Sequence, residues 1–303
     1  METRGLKPTV SVIIPNYNHA LYLRERIDSV LSQDYRDFEI ILLDDCSTDN
    51  SRDVIDSYRS CPQVSRVIYQ KENSGNPFLQ WECGIQAARG ELIWIAESDD
   101  VADSQFLSTL VPLLLADDRR VLAFSHSRMI DSHSQPMDLS WHQNTNTGEV
   151  VVCDGEQFCK QRMLKQCVVY NASMVVFRKS TFAHVPHDYQ QFRYQGDWLF
   201  WTYVCRQGQV VEVCQQLNSF RQHENKVSKR SEKSGEKWKD TAGILMRMIE
   251  LMQLTPWQQR CLRGRWTKRF RKDDFPQKQN IREQFPNIYG GSLFDVICYE
   301  ISK

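Results

Sequence analysis

The chain has 303 residues, which is long enough to bury a substantial core as one large α/β domain with an appendage or as two modest domains. Its 38 basic side chains balance its 38 acidic ones, so the whole molecule has no field that would select nucleic acid or an acidic polymer. The charge is uneven, because residues 226–272 hold 14 basic and 4 acidic side chains.

The first hundred residues alternate between strand-like and helical segments. Short β-branched or apolar runs predict strands, and apolar side chains at helical spacing predict the helices between them. The predicted strands are Thr9–Pro15, Phe38–Leu43, Arg66–Gln70 and Glu91–Ala96, and the predicted helices are Leu21–Gln33, a segment from about Ser47 to Arg59, and Phe78–Ala88. This alternation predicts an α/β fold with a doubly wound, mostly parallel sheet.

The order loosens after residue 100. The predicted elements there are a helix at Ser104–Ala116, a strand at Val121–His126, a long polar loop at 131–150, a strand at Val168–Phe177, a helix at Asp197–Arg206, and short strands at Val210–Val213 and Ser219–His223. From residue 226 the composition becomes basic and helical. We therefore predict a sheet domain over 1–225 and a basic, mostly helical extension over 226–303.

The cysteines and the N-terminal segment bear on the compartment. None of the ten cysteines is spaced as C-x-x-C, and several lie in apolar segments, which predicts reduced thiols. The N-terminal segment has no apolar signal-peptide core, and no stretch approaches the roughly 18 apolar residues of a membrane span. We expect a cytoplasmic protein.

Acidic residues follow two of the predicted strands. Asp44 and Asp45 follow the second strand, and Glu97-Ser98-Asp99-Asp100 follows the fourth. Ligands of open parallel sheets bind at these strand ends, but neither G-x-G-x-x-G nor a P-loop is present. Carboxylates can face a phosphate only across a divalent cation, so the pattern predicts Mn²⁺ or Mg²⁺ with Asp99 as a ligand. The alternative is that these acids cap helices or lie in solvent.

An ordered set of motifs resembles the family 2 inverting glycosyltransferases of GT-A fold. The set is S-V-I-I-P-N-Y-N at 11–18, L-x-x-R-I-D-S-V-L-x-Q at 23–33, F-E-I-I-L-L-D-D-x-S-T-D-N-S at 38–51, N-x-G at 73–75, A-x-G-E-x-I-x-x-x-x-S-D-D at 88–100 and G-D-W at 196–198. The resemblance covers roughly residues 8–225. It implies a GT-A sheet domain that binds a nucleotide-sugar donor.

The resemblance also implies roles for single residues. Pro15 and Tyr17 would frame the base and ribose, Asp45 would hydrogen-bond the base, and Glu97-Ser98-Asp99 stands where the family has D-x-D. The full predicted donor site is Pro15, Asn16, Tyr17, Asp44, Asp45, Glu97, Ser98, Asp99 and Asp100. The chain departs from the family at Glu97, which replaces an aspartate, and at Gln80-Trp81-Glu82, where the family often has Ala-Arg-Asn.

Two later residues complete the predicted chemistry. Asp197 opens a helix, where the helix dipole favours the ionised carboxylate, and in the family an acid at this motif takes the proton from the acceptor hydroxyl. Its alternative role is that of a plain helix cap. His223 lies in a segment resembling the family's R-x-H, where the histidine can approach the metal, so Asp99 and His223 are the predicted metal ligands. A structural role for His223 is the alternative.

These observations predict an enzyme that moves a sugar from a nucleotide-diphosphate sugar to a hydroxyl of a glycan or lipid-linked acceptor, with inversion at the anomeric carbon. The first candidate for the donor is a UDP-sugar, and the predicted process is cell-surface polysaccharide synthesis. One alternative is a sugar nucleotidyltransferase, although the loop after the first strand has no glycine or basic residue. The other is a catalytically silent module that binds nucleotide sugars. Basic residues within 258–272 interleave with aromatic ones, which predicts either peripheral contact with the anionic inner face of the cell membrane or an ordinary solvated helix.

Overall fold

A computed structural model describes residues 7–139, 147–223 and 234–302, and part of the predicted loop 131–150 therefore lies outside the described residues. The chain divides into two compact units. We call residues 1–155, 169–185 and 203–223 the sheet unit. Residues 156–168, 186–202 and 224–303 form what we call the helical unit. The sheet unit ends two residues before the predicted boundary, but the helical unit also takes in two segments from upstream of that boundary.

The sheet has nine strands in the described part of the chain. Eight of them follow one another in the order β3-β2-β1-β4-β8-β6-β9-β5, and β7 pairs with β9. The strands are β1 Val10–Asn16, β2 Phe38–Asp44, β3 Val64–Tyr69, β4 Leu92–Ile95, β5 Val101–Ala102, β6 Arg120–Ile130, β7 Val150–Asp154, β8 Val175–Arg178 and β9 Gln209–Arg221.

The two halves of the sheet differ in strand direction. The pairs β1–β2, β2–β3 and β1–β4 are parallel, whereas β8 lies antiparallel between β4 and β6. The pair β6–β9 is again parallel, and the short strands β5 and β7 pair antiparallel with β9. The α/β prediction is confirmed, and the parallel half is the one that the alternating pattern predicted.

The helices include several short and irregular turns. They are α1 Ala20–Leu31, α2 Ser51–Ser57, α3 Pro77–Ala87, α4 Phe106–Leu115, α5 Gly155–Phe158, α6 Gly196–Cys205, α7 Glu236–Leu251, α8 Pro256–Lys272, α9 Lys278–Gln284, α10 Pro286–Tyr289 and α11 Leu293–Ile301. A π-helical turn follows at Cys159–Met163, and 3₁₀ turns lie at Ala172–Met174, Lys179–His184 and His187–Gln191. All the long helices predicted before residue 226 are present within a few residues of their predicted bounds.

The two strands β1 and β2 of the parallel half are buried on both faces. Every residue of β1 and β2 is buried, as expected for strands covered by helices on each side. The apolar stripe of α1 packs in one core cluster with alternate residues of these strands. On the opposite face, Gly84 of α3 lies so close to β1 that an added Cβ would come within 2.3 Å of Ile13 Cγ2. A glycine there allows α3 to lie directly on the strand.

The helical unit has a core made largely of aromatic rings. Trp238 of α7 lies edge-on to Phe270 and Tyr289, at centroid distances of 5.2 and 5.6 Å. Trp198 of α6 lies 5.8 Å from Trp266 of α8. Leu262, Trp266 and Phe270 of α8 are buried within the unit, whereas Trp257 in its first turn is 49% exposed and its last turn exposes cations.

All ten cysteines lie among the described residues, and none of them forms a disulfide there. Within the described residues, no helix combines the length and the apolar character that crossing a bilayer requires.

Candidate active site

Three loops meet because β1 lies between β2 and β4 in the sheet. The chain runs from β1 outward to β2 and β3 and then returns to β4 on the other side of β1, and such a switch in strand order opens a crevice at the carboxyl ends of the strands. The loops after β1 and β2 are joined directly: Asn16 Nδ2 donates to Asp44 Oδ1 at 3.1 Å, and the Asp45 N–H donates to the Asn16 carbonyl at 2.9 Å. The predicted site residues therefore lie along one edge.

Asp44 is fully buried and holds the loop after β2 together. Its Oδ2 accepts from the Ser47 N–H at 3.1 Å and from Arg52 Nε at 2.9 Å. With Asn16 on its other oxygen, the carboxylate is neutralised inside the protein. Asp44 thus stabilises the loop after β2, which is predicted to bind the nucleotide.

Asp45 is held just as closely, by the segment that leads into α3. Its two oxygens accept from the Ser74 N–H and hydroxyl at 2.9 and 2.7 Å, from Asn73 Nδ2 at 3.1 Å and from Gln80 Nε2 at 2.7 Å. These four donors occupy the lone pairs of the carboxylate. A base N–H would therefore have to share an oxygen with one of them.

The departure of the chain from the family pattern at Gln80-Trp81 has a structural counterpart. Gln80 donates to Asp45, and Trp81 Nε1 donates to Glu97 Oε1 at 2.8 Å. Both donors are uncharged, and each links α3 to an acidic residue in one of the predicted donor-site loops. The longer glutamate at position 97 reaches the indole, and its burial, with Asp99 adding a like charge, raises the pKa of Glu97 to about 8.

Asp99 is the acid of the third loop that meets a histidine. Its Oδ2 lies 3.0 Å from His223 Nε2, and both side chains are mostly buried. Asp100, the next residue, is turned into the protein instead: its carboxylate accepts from Asn171 Nδ2 at 2.6 Å and from the Arg221 N–H at 3.0 Å. Asp99 and Asp100, although adjacent in the chain, thus have different partners.

Two buried arginines hold the backbone of this acidic loop. Arg26 of α1 donates from Nε to the Glu97 carbonyl at 2.8 Å, and Arg221 of β9 donates from Nε to the Asp99 carbonyl at 2.7 Å. Burial lowers the pKa of Arg26 to about 10, although the charge of Asp100 opposes the shift. Arg26 therefore remains cationic at neutral pH, and its charge offsets the clustered carboxylates.

The loop after β1 presents an aromatic side chain. Pro15 is buried at the end of the strand, whereas Tyr17 is 44% exposed. Asn18 follows with a φ of 56°, and its Oδ1 accepts from the Thr48 N–H at 2.7 Å. This left-handed turn leaves the Tyr17 ring accessible at the edge where the loops meet.

Three side chains of the sheet unit fit a divalent cation. His19, Asp99 and His223 each offer one ligand atom, and these atoms lie within 4.8 Å of one another. Two adjacent ligands of an octahedral ion with bonds near 2.1 Å lie about 3 Å apart, which matches the 3.0 Å between Asp99 and His223. Imidazole nitrogens and a carboxylate oxygen are suitable ligands for such an ion.

Asp197 belongs to the helical unit and lies in the first turn of α6. Its Oδ1 accepts from the Trp198 N–H at 2.9 Å, and its side chain remains partly exposed. Burial of the carboxyl raises the pKa of Asp197 to about 7, and the nearby charge of Asp240 adds to the rise. A carboxylate with this pKa can accept a proton near neutral pH.

A family model described as glycosyl transferase family 2 matches residues 11–182 of the chain. The chain belongs to this family. An uncharacterized glycosyltransferase of Nostoc sp. is 30% identical over 246 residues, which are 78% of this chain and 72% of the relative. The chain is thus a family 2 glycosyltransferase, and the predicted transferase class is confirmed.

Solved structures show the same fold at low identity. TarS 1–349 of Staphylococcus aureus in complex with UDP-GlcNAc superposes with a TM-score of 0.60 at 14% identity, covering 97% of this chain and 92% of that one. The mannosyltransferase PcManGT of Pyrobaculum calidifontis, in complex with GDP-Man and Mn²⁺, gives 0.54 at 13% identity, covering 98% and 80%. The predicted GT-A fold of this family 2 glycosyltransferase is confirmed.

Sequence reasoning missed three side chains of the site. His19 directly follows the P-N-Y-N motif, and Arg26 and Arg221 lie inside segments that the family resemblance used. Only the fold brings His19 to Asp99 and sends the two arginines to backbone carbonyls. The sequence signal that could have identified His19 is its position directly after the P-N-Y-N motif of this family 2 glycosyltransferase.

Proposed function

We propose that the chain is an inverting, metal-dependent glycosyltransferase that moves a sugar from a UDP-sugar to a hydroxyl of a glycan or lipid-linked acceptor in cell-surface polysaccharide synthesis. The observation that carries this proposal is the 3.0 Å approach of Asp99 and His223 at the edge where the loops after β1, β2 and β4 meet. The neighbours bound to UDP-GlcNAc and to GDP-Man with Mn²⁺ support a nucleotide-sugar donor and a divalent ion.

The proposed donor site uses the three loops in different ways. Exposed Tyr17 stacks on the base, with Pro15 beneath the same loop. Asp45, in its network with Asn73, Ser74 and Gln80, fixes the floor of the base pocket. The neighbour bound to UDP-GlcNAc supports uracil as the base.

Asp99 and His223 would hold the cation, either Mn²⁺ or Mg²⁺. When bound, the ion acts as a Lewis acid that neutralises the charge on the departing diphosphate. Arg26 and Arg221 keep Asp99 in place through the loop backbone, so the carboxylate is oriented before the donor arrives.

Asp197 is the proposed general base. Its carboxylate accepts the proton of the acceptor hydroxyl while that oxygen forms a bond to the anomeric carbon. The bond from the anomeric carbon to the donor phosphate breaks at the same time, and its electron pair leaves with the nucleoside diphosphate. One displacement inverts the anomeric centre, and no covalent enzyme intermediate is formed.

The acceptor class rests on named relatives. A 99-residue segment of the chain, 32% of its length, is 33% identical to the poly(ribitol-phosphate) β-N-acetylglucosaminyltransferase TarS, of which it covers 17%. TarS acts on a polyol-phosphate polymer, as its name states, which supports a cell-surface glycan acceptor here. The exposed cations of residues 258–272 would allow an electrostatic contact with an anionic membrane at the cytoplasmic face.

Transfer by the full chain should require Mn²⁺ or Mg²⁺ and should be lost in Asp99→Asn, because the neutral amide cannot hold the cation against the diphosphate. The measurement is release of nucleoside diphosphate from a panel of UDP-, GDP- and dTDP-sugars, with and without chelator. Asp34→Asn, which removes an exposed carboxylate of the sheet unit, is the matched control and should keep full activity. Undiminished transfer in excess chelator would contradict the proposed metal dependence.

A further inference from the structure

His19 is the one member of the three-residue metal cluster to which the proposed function gives no part. It occupies the N-cap position of α1, yet its side chain makes no capping hydrogen bond to the helix. Instead, its Nδ1 lies 2.8 Å from Ser98 Oγ, which belongs to the same loop as Asp99. The helix therefore does not explain where the imidazole points.

Contacts with Ser98 and His223 set the position of the His19 ring. Ser98 fixes one ring nitrogen, and the other face of the cluster is closed by His223, whose ring lies 5.7 Å from that of His19 in an edge-to-face arrangement. His223 is held in turn by the Tyr22 ring at 5.3 Å, over which the Arg221 guanidinium lies at 4.6 Å. A hydrogen bond to one nitrogen of an imidazole is the usual way in which a metal ligand is oriented.

We infer that His19 is a third protein ligand of the cation, and that the resulting set of two imidazoles and one carboxylate selects Mn²⁺ over Mg²⁺. This inference rests on the proposed function, which supplies the metal site. Mg²⁺ prefers an all-oxygen shell and binds through one or two carboxylates with water and phosphate oxygens. Imidazole nitrogen favours transition ions, and each added nitrogen ligand shifts the preference further toward them.

The remaining positions of an octahedral ion stay available to the donor. Three protein ligands leave three sites, which suffice for the two phosphates of a nucleoside diphosphate and one water. The donor set therefore binds the cation without excluding the substrate. The set also gives a role to Ser98, which lies between Glu97 and Asp99 and cannot replace a carboxylate ligand. The Ser98 hydroxyl orients the imidazole of His19.

The test compares the full chain with His19→Asn by electron paramagnetic resonance of Mn²⁺, in the presence of UDP. The free-ion signal gives the affinity for Mn²⁺, and electron spin-echo modulation counts the ¹⁴N nuclei bound directly to the ion. We expect two bound imidazole nitrogens in the wild type and one in the variant, with affinity about 10-fold or more weaker. Mg²⁺ should displace Mn²⁺ at a clearly lower concentration from the variant than from the wild type.

His184→Asn is the control, because it removes an exposed histidine from another part of the sheet unit. It should keep both the affinity for Mn²⁺ and the two nitrogens, and thermal melting will show that both variants are folded. A wild type with one bound nitrogen, and a His19→Asn variant with unchanged affinity, would overturn the inference but leave the metal-dependent function standing. A wild type that does not bind Mn²⁺ with UDP would instead contradict the proposed function itself.

Discussion

At the scale of single residues, an amide variant of Asp197 distinguishes a general base from a helix cap. Asp197→Asn keeps the shape and most hydrogen bonding but cannot accept a proton, so kcat should fall by about 10² to 10⁴. Donor affinity should hardly change, because a general base acts in the transition state. Calorimetry of donor binding and transfer rates on the same preparation measure the two effects.

A cap predicts another result, since Asn caps helices about as well as Asp and the variant would then turn over normally. Asp274→Asn serves as the matched control, because Asp274 is an exposed carboxylate of the same unit. Its kcat should equal that of the wild type.

The same residue gives a prediction for pH dependence. The pKa of Asp197 lies near 7, above its ordinary value of 3.8, so the base is ionised only above about pH 7 and kcat should fall as the pH drops through that value. Asp240→Asn removes a like charge, which should lower the pKa of Asp197 and move the acidic limb of the profile to lower pH. A limb that stays in place, recorded as kcat against pH for both proteins, would exclude Asp197 as the titrating base.

The raised pKa of Asp197 also has a cost for stability. Between pH 4 and 7 the folded chain binds this proton more tightly than the unfolded chain does. The unfolding free energy contributed by Asp197 therefore decreases as the pH rises through that interval. Elevated carboxyl pKa values of this kind are typical of functional sites.

Sequence motifs could identify acids and a histidine, but not how each one is used. Asp44, Asp45, Asp99 and Asp100 are all predicted site residues, with Asp99 as the metal ligand. In the described structure Asp99 meets a histidine, and each of the other three accepts a hydrogen bond from at least one donor of a distant segment. Such pairings depend on tertiary structure, so a single sequence does not reveal them.

At the scale of elements, the turn from α3 into β4 is closely packed against the central strands of the sheet unit. The Gly90 N–H donates to Ser11 Oγ at 2.8 Å, and the Ser11 hydroxyl donates to Glu39 Oε1 at 2.7 Å. Glu39 also pairs with Arg89 at 2.7 Å. This buried network joins β1, β2 and the turn before β4.

Gly90→Ala should destabilise the fold. An added Cβ would meet the Ser11 nitrogen at 2.6 Å and the Val10 carbonyl carbon at 2.8 Å, and backbone atoms of a central strand cannot move aside. Overpacking of this kind costs about 1–3 kcal/mol. Urea unfolding measures the loss, and the control Gln86→Ala, at an exposed position of α3, should change stability by less than about 0.5 kcal/mol.

The elements that the sequence predicted best are those of the parallel half, because long apolar runs with clear periodicity mark fully buried strands and amphipathic helices. Two short strands, β5 and β7, were not predicted. β5 has only two residues, and β7 alternates between exposed and half-buried positions at the sheet edge. The two strands predicted at 210–223 are one strand, β9, because the polar residues between them still pair with β6.

At the scale of the whole molecule, the helical unit is assembled from three separate stretches of chain. Trp198 Nε1 donates to the Met163 carbonyl at 3.0 Å, and Trp266 Nε1 donates to the Leu164 carbonyl at 3.1 Å. Each stretch thus supplies a hydrogen-bond partner or an aromatic ring to another. Local sequence patterns did not reveal this interleaving, because composition changes only at residue 226.

Removal of residues 224–303 should therefore leave an unstable product. The truncated chain keeps Trp198 but loses Trp266, so an aromatic surface of the helical unit becomes exposed. We expect aggregation or strong binding of a hydrophobic dye, measured on purified protein beside the full chain. A monomeric truncated protein that melts cooperatively would contradict this expectation.

The interleaving also sets an order for events on the ribosome. Once the first 223 residues have emerged from the ribosome, every strand of the described sheet is available, so the sheet can begin to form before the helical unit is complete. Asp197 has then also been made, but the helices that complete its unit have not. The donor edge can therefore begin to form while translation continues, and the proposed base acquires its folded surroundings only after α7 and α8 have been made.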